Sequence, residues 1–224
     1  MKKKIQKSVV LVSGGMDSCV TATIAEKESN QMAFLHVNYG QRTERRELKA
    51  FEDIANFYDV KERFVLDYTH LAQIGGSSLT DLSIEVPKAN LENSEIPNSY
   101  VPFRNANILS AAVSWAEVIN ADTIYIGAVE EDSSGYPDCR RSFYDAFEKT
   151  IDEGTKPQTK IKIKTPLIEM SKRDIVSYAF NNNSPIQFSW SCYRNEDVPC
   201  GECDSCKLRE RGFKLAGYRD PIIN

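Results

Sequence analysis

The chain has 224 residues, of which 41% are hydrophobic, enough for one large domain or one domain with a small appendage. Its formal net charge is −4 and, outside the lysine tract at 2–4, its basic residues are dispersed, which argues against a nucleic-acid surface. No apolar run approaches the roughly 18 residues of a membrane span, and the first run is too short for a signal peptide. We expect a cytoplasmic protein that binds neither membranes nor nucleic acids.

Apolar and amphipathic segments alternate along the chain. Apolar runs predict strands, and the segments between them have the spacing of amphipathic helices. The predicted strands cover 8–12, 32–37, 62–66, 123–127 and 160–164. Such an alternation predicts a doubly wound α/β fold with a parallel five-stranded sheet.

Two regions depart from this alternation. Residues 67–100 contain the flexible stretch Gly-Gly-Ser-Ser at 75–78 and are interrupted by Pro87 and Pro97. An irregular insert of this length is typically a functional lid or a mobile segment, and both interpretations stay open. The second region is the cysteine-rich tail at 185–224, which follows an α/β domain that we place at 1–184.

The last helix of that domain has a recognisable beginning. Ser171 and Asp174 predict a capping box at its start.

The sequence S-G-G-M-D-S at 13–18 follows the first strand directly and precedes a helix. Backbone N–H groups and the positive end of the helix dipole meet at such a turn, and glycine lets the backbone approach a phosphate closely. A carboxylate beside a phosphate, here Asp17, is explained by Mg²⁺, which takes one or two carboxylates together with phosphate oxygens. The simpler alternative is a tight turn with a helix cap at Ser13 or Ser18.

Other phosphate-binding loops are absent, since neither G-x-x-x-x-G-K-[ST] nor G-x-G-x-x-G occurs. We therefore predict that the turn and the residues beside it bind the phosphate groups of a cofactor. The predicted cofactor-binding residues are Leu11, Val12, Ser13, Gly14, Gly15, Met16, Asp17, Ser18, Cys19, Val20 and Thr21.

Four polar segments follow predicted strands or lie beside them, at 13–18, 38–42, around Arg104 and at 130–140. Ligands of open α/β sheets bind beyond the carboxyl ends of the strands, so we expect these segments on one rim. Several cations are candidates for contacting phosphate there, and each is alternatively a solvated or salt-bridged surface residue. They are Arg42, Arg104, Arg140 and Lys164.

Four cysteines near the end of the chain have the spacing C-x7-C-x2-C-x2-C, at Cys192, Cys200, Cys203 and Cys206. Four thiolates favour tetrahedral Zn²⁺ or an iron–sulfur cluster, and the simpler alternative is four small buried apolar side chains. Because four protein ligands leave no open position on a tetrahedral ion, we expect a structural role.

The other cysteines and both histidines stand apart from this group. Cys19 is expected to be a buried packing residue, and Cys139 is either a nucleophile or a buried thiol. His36 and His70 are expected to be structural residues rather than metal ligands.

The hexapeptide at 13–18 resembles the pyrophosphate loop of the ATP pyrophosphatase superfamily, whose members use ATP to activate a carbonyl oxygen before a nitrogen or sulfur nucleophile displaces it. Further motifs make the chain similar to the 7-cyano-7-deazaguanine synthase family of queuosine biosynthesis. They are Y-G-Q-R at 39–42, V-P-F-R-N at 101–105, G-Y-P-D-C-R at 135–140, T-P-L at 165–167 with Lys172, and the cysteine segment at 191–206. The resemblance runs from residue 9 to 217, and the insert carries little of it.

The resemblance implies an adenine nucleotide alpha-hydrolase-like fold and an ATP-dependent C–N ligase. The reaction implied is conversion of 7-carboxy-7-deazaguanine and ammonia to an amide, which a second ATP-driven dehydration turns into the nitrile. It also implies Mg²⁺ bound with the substrate, one structural Zn²⁺ and a homodimer. The small molecules ATP, ammonia and the carboxylated purine would be the partners of the chain.

Within this reaction the predicted catalytic residues are Asp17, Arg104, Asp138 and Arg140. Asp17 would direct the metal, and the two arginines would face the negative charge that develops in the transition state. Asp138 would accept N–H donors from the guanine-like edge. Tyr136 or Phe103 would stack on the base, with core packing as the alternative for both.

Two other functions stay open. A tRNA-thiolating or tRNA-lysidine-forming enzyme of the same superfamily would need a tRNA surface, against which the acidic balance of charge argues. A zinc-ribbon module that senses adenine nucleotides would bind them without turnover.

Overall fold

Five strands form one parallel sheet in the order β3-β2-β1-β4-β5, which confirms the predicted five-stranded parallel sheet. The computed structural model describes residues 5–91, 95–130 and 135–223. The strands are β1 (Ile5–Leu11), β2 (Ser29–Asn38), β3 (Glu62–Asp67), β4 (Thr123–Tyr125) and β5 (Lys162–Lys164). The helices are α1 (Met16–Glu28), α2 (Glu44–Phe57), α3 (His70–Ile74), α4 (Arg104–Ile119), α5 (Arg141–Gly154), α6 (Lys172–Asn181) and α7 (Asp204–Ala216).

Both β1 and β2 begin three residues earlier than predicted, at Ile5 and Ser29 instead of residues 8 and 32. Ser29 pairs with Ile5 through the backbone, and its hydroxyl donates to Ser8 Oγ at 2.9 Å. A polar residue that joins a sheet in this way leaves no apolar signal in the sequence. The predicted capping box of α6 is confirmed, because Ser171 Oγ accepts from the Asp174 N–H and the Asp174 carboxylate accepts from the Ser171 N–H.

The core has two layers, one on each face of the sheet. On β1, Val10 belongs to the layer under α1, α2, α6 and α7, whereas Val9 belongs to the layer under α4 and α5. This alternation follows from the period of two in a strand. Helices on both faces confirm the doubly wound architecture, and the strand order reverses between β1 and β4, where such folds bind ligands.

The insert at 67–100 is anchored to the domain by Arg42. Its guanidinium donates to the carbonyl oxygens of Ser78, Asp81 and Ile84 at 2.7–2.8 Å. The insert also contains α3, which the sequence pattern did not predict. Residues 92–94 of the insert, 131–134 of the predicted polar loop and the lysine tract at 2–4 lie outside the described residues.

The tail packs closely on the domain through α6 and α7. A Cβ added at Gly212 of α7 would lie 2.9 Å from Lys172 Cβ, so the two helices approach where no side chain separates them. Arg209 is buried in α7, and its guanidinium donates to the carboxylate of Asp220, beyond the end of the helix, at 2.6 and 2.9 Å. Among the helices described, none has the length and apolar character of a transmembrane span.

Candidate active site

A cavity of about 270 Å³ lies beyond the carboxyl ends of β1, β2 and β4, where the strand order reverses. Its walls include the turn after β1, the residues after β4 and the first turn of α4. The tail contributes Trp190, Ser191, Tyr193 and Arg209 to the same walls. The four polar segments were predicted to gather on one rim. The segments at 13–18, at 38–42 and around Arg104 all contribute to the cavity walls, and the segment at 130–140 contributes Tyr136 and Cys139.

The turn at 13–18 leaves the beginning of α1 without a side-chain cap. The helix begins at Met16 with Gly15 in the cap position, so the alternative of a cap at Ser13 or Ser18 is wrong. Ser13 Oγ accepts from the Gly15 N–H at 3.2 Å, and the Ser18 hydroxyl donates to the Gly15 carbonyl at 3.0 Å. These contacts shape the turn and keep the positive end of α1 at the cavity, as an anion site requires.

Gly14 is required by the geometry of this turn. Its φ is +89°, and an added Cβ would lie 2.5 Å from the backbone oxygen of Glu47. The Gly14 carbonyl in turn accepts from the Trp190 N–H at 2.8 Å. The phosphate turn is thus held between α2 and the tail.

The predicted cofactor-binding residues divide into two groups. The residues that line the cavity are Leu11, Val12, Ser13, Gly15, Met16, Asp17 and Ser18. Cys19, Val20 and Thr21 are buried in α1 behind it. Cys19 packs in the apolar core, as predicted, and burial raises the pKa of its thiol. Thr21 Oγ1 donates to the Asp17 carbonyl at 2.9 Å.

Asp17 has one engaged and one unsatisfied carboxylate oxygen. Oδ2 accepts from Lys172 Nζ at 2.7 Å, whereas Oδ1 is buried and has no hydrogen-bond partner within the described chain. An unsatisfied buried oxygen is costly and calls for an explanation. Mg²⁺ fits this position, because a single carboxylate oxygen beside a phosphate site is a typical ligand of that ion.

Arg104 begins α4 and lies in the opposite wall. Its Nη1 donates to Tyr39 Oη at 3.0 Å, and its guanidinium carbon lies 5.1 Å from the centre of the Tyr39 ring. Burial raises the pKa of Tyr39 to about 12. The pair therefore presents a fixed cation and an aromatic ring to the cavity. Tyr136 and Tyr193 extend the aromatic wall, whereas Phe103 is 61% exposed and does not line it.

Asp138 lies behind the cavity wall and contacts the beginning of α4. Its Oδ2 accepts from the Asn105 N–H at 3.0 Å, while Asn105 Nδ2 donates to the Asp138 carbonyl at 2.9 Å. Burial raises the pKa of the Asp138 carboxyl. The next residue, Cys139, lines the cavity, but burial raises its thiol pKa to about 11, which disfavours the thiolate that a nucleophile needs.

Three of the four predicted phosphate-contacting cations lie away from the described cavity walls. Arg140 is exposed at the start of α5, Arg42 holds the insert, and Lys164 pairs with Glu28. Lys172, which belongs to one of the family motifs but was given no role, lines the cavity instead. The phosphate turn thus receives its buried cation from α6.

Sequence reasoning missed Glu47 of α2, which lines the cavity. Its Oε1 accepts from the Thr43 hydroxyl at 2.6 Å, and its Oε2 accepts from Gln41 Nε2 at 3.1 Å. Burial raises the pKa of this carboxyl to about 7. The sequence did contain one indication of its role. Glu47 follows the polar segment at 38–42 by about one helical turn, and it stands four residues after Thr43, whose hydroxyl can donate to it.

The four predicted metal ligands come together, with sulfur atoms that all lie within 4.8 Å of one another. Backbone N–H groups of 194, 195 and 200 donate to Cys192 Sγ at 3.3–3.4 Å. Four sulfur donors in this arrangement fit a tetrahedral thiophilic ion. Trp190 packs in the same cluster as the cysteines, so this candidate metal site stands directly behind the cavity wall.

Both histidines have structural surroundings. His36 is buried, with Nδ1 at 2.9 Å from the Val12 carbonyl and Nε2 at 3.0 Å from Asn38 Oδ1, and burial lowers its pKa. The His70 ring lies 5.0 Å from that of Tyr68. Neither belongs to the metal site formed by described residues.

The arrangement combines an anion site at one end of the cavity with a cation, aromatic rings and a protonatable carboxyl at the other. Such a cavity can hold a nucleotide phosphate and a planar polar ligand side by side. Charge that develops between them would meet preorganised donors, which is the usual source of catalytic stabilisation.

Comparison with known proteins identifies relatives along nearly the whole chain. The family described as "Queuosine biosynthesis protein QueC" matches residues 7–217. A protein of Chlorobium phaeobacteroides named 7-cyano-7-deazaguanine synthase is 59% identical over 216 residues, which are 96% of each chain. One of the same name from Chloroherpeton thalassium is 57% identical, again over 96% of each chain.

Among solved structures, NMN synthetase from Francisella tularensis is similar with a TM-score of 0.52. The match covers 96% of this chain and 79% of that one at 15% identity, so it supports the fold alone. The family match and the two relatives go further. The chain belongs to the QueC family of queuosine biosynthesis proteins.

Proposed function

We propose that the chain is an ATP-dependent C–N ligase that converts 7-carboxy-7-deazaguanine and ammonia to 7-cyano-7-deazaguanine by way of the amide. The proposal is carried by one observation: the uncapped start of α1 with Asp17 and an aromatic wall with Arg104 share one cavity. The relatives named 7-cyano-7-deazaguanine synthase supply the substrate.

The chemistry needs both ends of the cavity. A carboxylate is a poor electrophile, because its charge repels nucleophiles and oxide is a poor leaving group. ATP must therefore first convert the carboxylate to a mixed anhydride with a phosphate group, which can then leave. Backbone N–H groups at 13–18 would hold the phosphates, and Lys172 would keep Asp17 in position. Asp17 Oδ1 would hold Mg²⁺, which neutralises phosphate charge when bound.

The opposite wall would hold the purine. Arg104 and Tyr39 form a fixed pair that can contact its polar edge and its ring face, and Tyr136 and Tyr193 widen the aromatic surface. Asp138 supports this wall through Asn105, and we assign it a positioning role in addition to the predicted contact with the guanine-like edge. Arg140 is exposed and lies outside the described cavity walls, so we assign it no contact with the developing charge.

The tail would act as a structural metal site. We propose that one Zn²⁺ is held by Cys192, Cys200, Cys203 and Cys206. Four thiolate ligands suit that ion and leave no open coordination position at which a substrate could react. The segment 185–224 would thereby support the cavity of the 1–184 domain. A homodimer and a cytoplasmic location complete the proposal.

The test follows purine and nucleotide together. Purified protein is incubated with 7-carboxy-7-deazaguanine, ammonium, Mg²⁺ and ATP, and the mixture is examined by mass spectrometry. We expect the nitrile, with AMP or ADP identifying the activation chemistry. Unchanged carboxylate in the presence of bound ATP would overturn the proposal, and ATP turnover only after addition of tRNA would favour a tRNA-modifying enzyme.

A further inference from the structure

Resting on the proposed function, we infer that the Glu47 carboxylate deprotonates ammonium inside the cavity. An ammonium N–H bond breaks, its electron pair stays on nitrogen, and the proton forms an O–H bond with Glu47. The resulting ammonia attacks the activated carboxyl carbon, and the bond from that carbon to the phosphate oxygen breaks with its electron pair on the leaving group. The remaining extra proton of the adduct passes to solvent.

The position of Glu47 suits this task, because its backbone reaches the phosphate end of the cavity while its carboxylate belongs to the opposite wall. Its backbone borders Gly14 of the phosphate turn. Its side chain extends to Gln41 and Thr43, beside the wall that holds Arg104. A carboxyl group that joins the purine to an activating phosphate must lie between these ends, so the attacking nitrogen arrives near Glu47.

Other titratable groups in the described cavity walls suit the task less well. Asp17 is the other carboxylate there: its Oδ2 accepts from Lys172, and its Oδ1 is the oxygen that we assign to Mg²⁺. Burial raises the pKa of Tyr39 to about 12 and that of Cys139 to about 11, so both keep their protons near neutral pH. Glu47 is the carboxylate that remains to accept a proton.

The surroundings of Glu47 also match its basicity to the reaction. Burial raises its pKa to about 7, and the Glu44 carboxylate of the same helix acts in the same direction. The Thr43 hydroxyl, the Gln41 amide and the Arg104 cation lower it. A general base works best when its pKa lies near the working pH.

The test compares ammonium with hydroxylamine in the wild-type protein, in Glu47→Gln and in the control Glu153→Gln. Glu153 is exposed in α5, and hydroxylamine is largely neutral at neutral pH, so it attacks without prior deprotonation. For Glu47→Gln we expect amide formation from ammonium to fall about 10²-fold, with hydroxamate formation close to wild type. The deficit with ammonium should shrink as pH rises, because solution then supplies free ammonia.

Each other outcome overturns the inference in a recognisable way. Equal loss with both nucleophiles would make Glu47 a residue that only shapes the cavity, and no loss with either would remove it from the reaction. If Glu47→Gln fails to fold, Glu47→Asp replaces it, and an unaltered pH profile of the ammonium reaction in that variant would overturn the inference. Wild-type protein that forms neither amide nor hydroxamate would refute the proposed function itself.

Discussion

The two ends of the cavity are built in different ways. The phosphate turn is local: six consecutive residues between β1 and α1 supply its backbone groups, its glycines and Asp17. The opposite wall joins Tyr39, Glu47, Arg104 and Tyr193, which come from distant parts of the chain. A site made from backbone can be encoded by a short motif, whereas a site made from side chains depends on how the whole domain packs.

The tail connects the two ends. Trp190 donates to Gly14 of the turn, and Tyr193 lines the cavity only one residue after Cys192. The cysteine cluster therefore stands behind both ends, and a structural metal there would preserve the cavity itself. The insert takes part as well, since Leu79 lines the cavity and Arg42 fixes the segment around it.

The largest effect is expected from Gly14→Ala, which tests the backbone end. The added Cβ meets the Glu47 backbone oxygen at 2.5 Å in a left-handed conformation, so the turn must shift away from its phosphate-binding shape. We expect kcat/KM for ATP to fall about 10²-fold, or about 2.7 kcal/mol, in steady-state kinetics. Gly75→Ala is the matched control, since Gly75 has a φ of +80° with nothing within 4 Å of an added Cβ; equal losses in both variants would refute the steric argument.

A smaller effect is expected from Arg104→Lys, which tests the side-chain end. Lysine keeps the charge but loses the planar group that lies over Tyr39 and donates to its hydroxyl. We expect kcat/KM for the purine carboxylate to fall about tenfold, or about 1.4 kcal/mol, with the KM for ATP nearly unchanged. Arg173→Lys, at an exposed position of α6, serves as control. A change confined to ATP would place Arg104 at the phosphate end instead.

The smallest effect concerns stability and pH. Because the folded-state pKa of Glu47 is raised to about 7, its contribution favours folding at low pH and is lost as pH rises through that value. Relative to Glu47→Gln, wild-type protein should lose about 1 kcal/mol of unfolding free energy between about pH 5 and about pH 8, a modest figure because the cavity admits water. Denaturant titrations at both pH values measure it, and parallel curves for the two proteins would contradict the raised pKa.

Much of the fold was predictable because it depends on periodicity. Apolar runs predicted four of the strands, the alternation of Lys and Ile at 160–164 predicted β5, and the capping box predicted where α6 begins. The ends of strands were less predictable, as Ser29 shows, because backbone pairing accepts polar residues that carry no apolar pattern. The short helix α3 was missed within the insert for a similar reason, since five residues are too few to show a helical period.

By itself, the sequence determined the fold class, the turn between β1 and α1 and the grouping of four cysteines. Each depends on residues that are close together in the chain, where spacing alone decides which groups can meet. The tertiary structure alone decided that Lys172 engages Asp17, that Glu47 and Arg104 share a wall, and that Asp138 supports α4. Those contacts join side chains far apart in sequence, and their burial, which sets the pKa of Glu47, exists only once the helices have packed on the sheet.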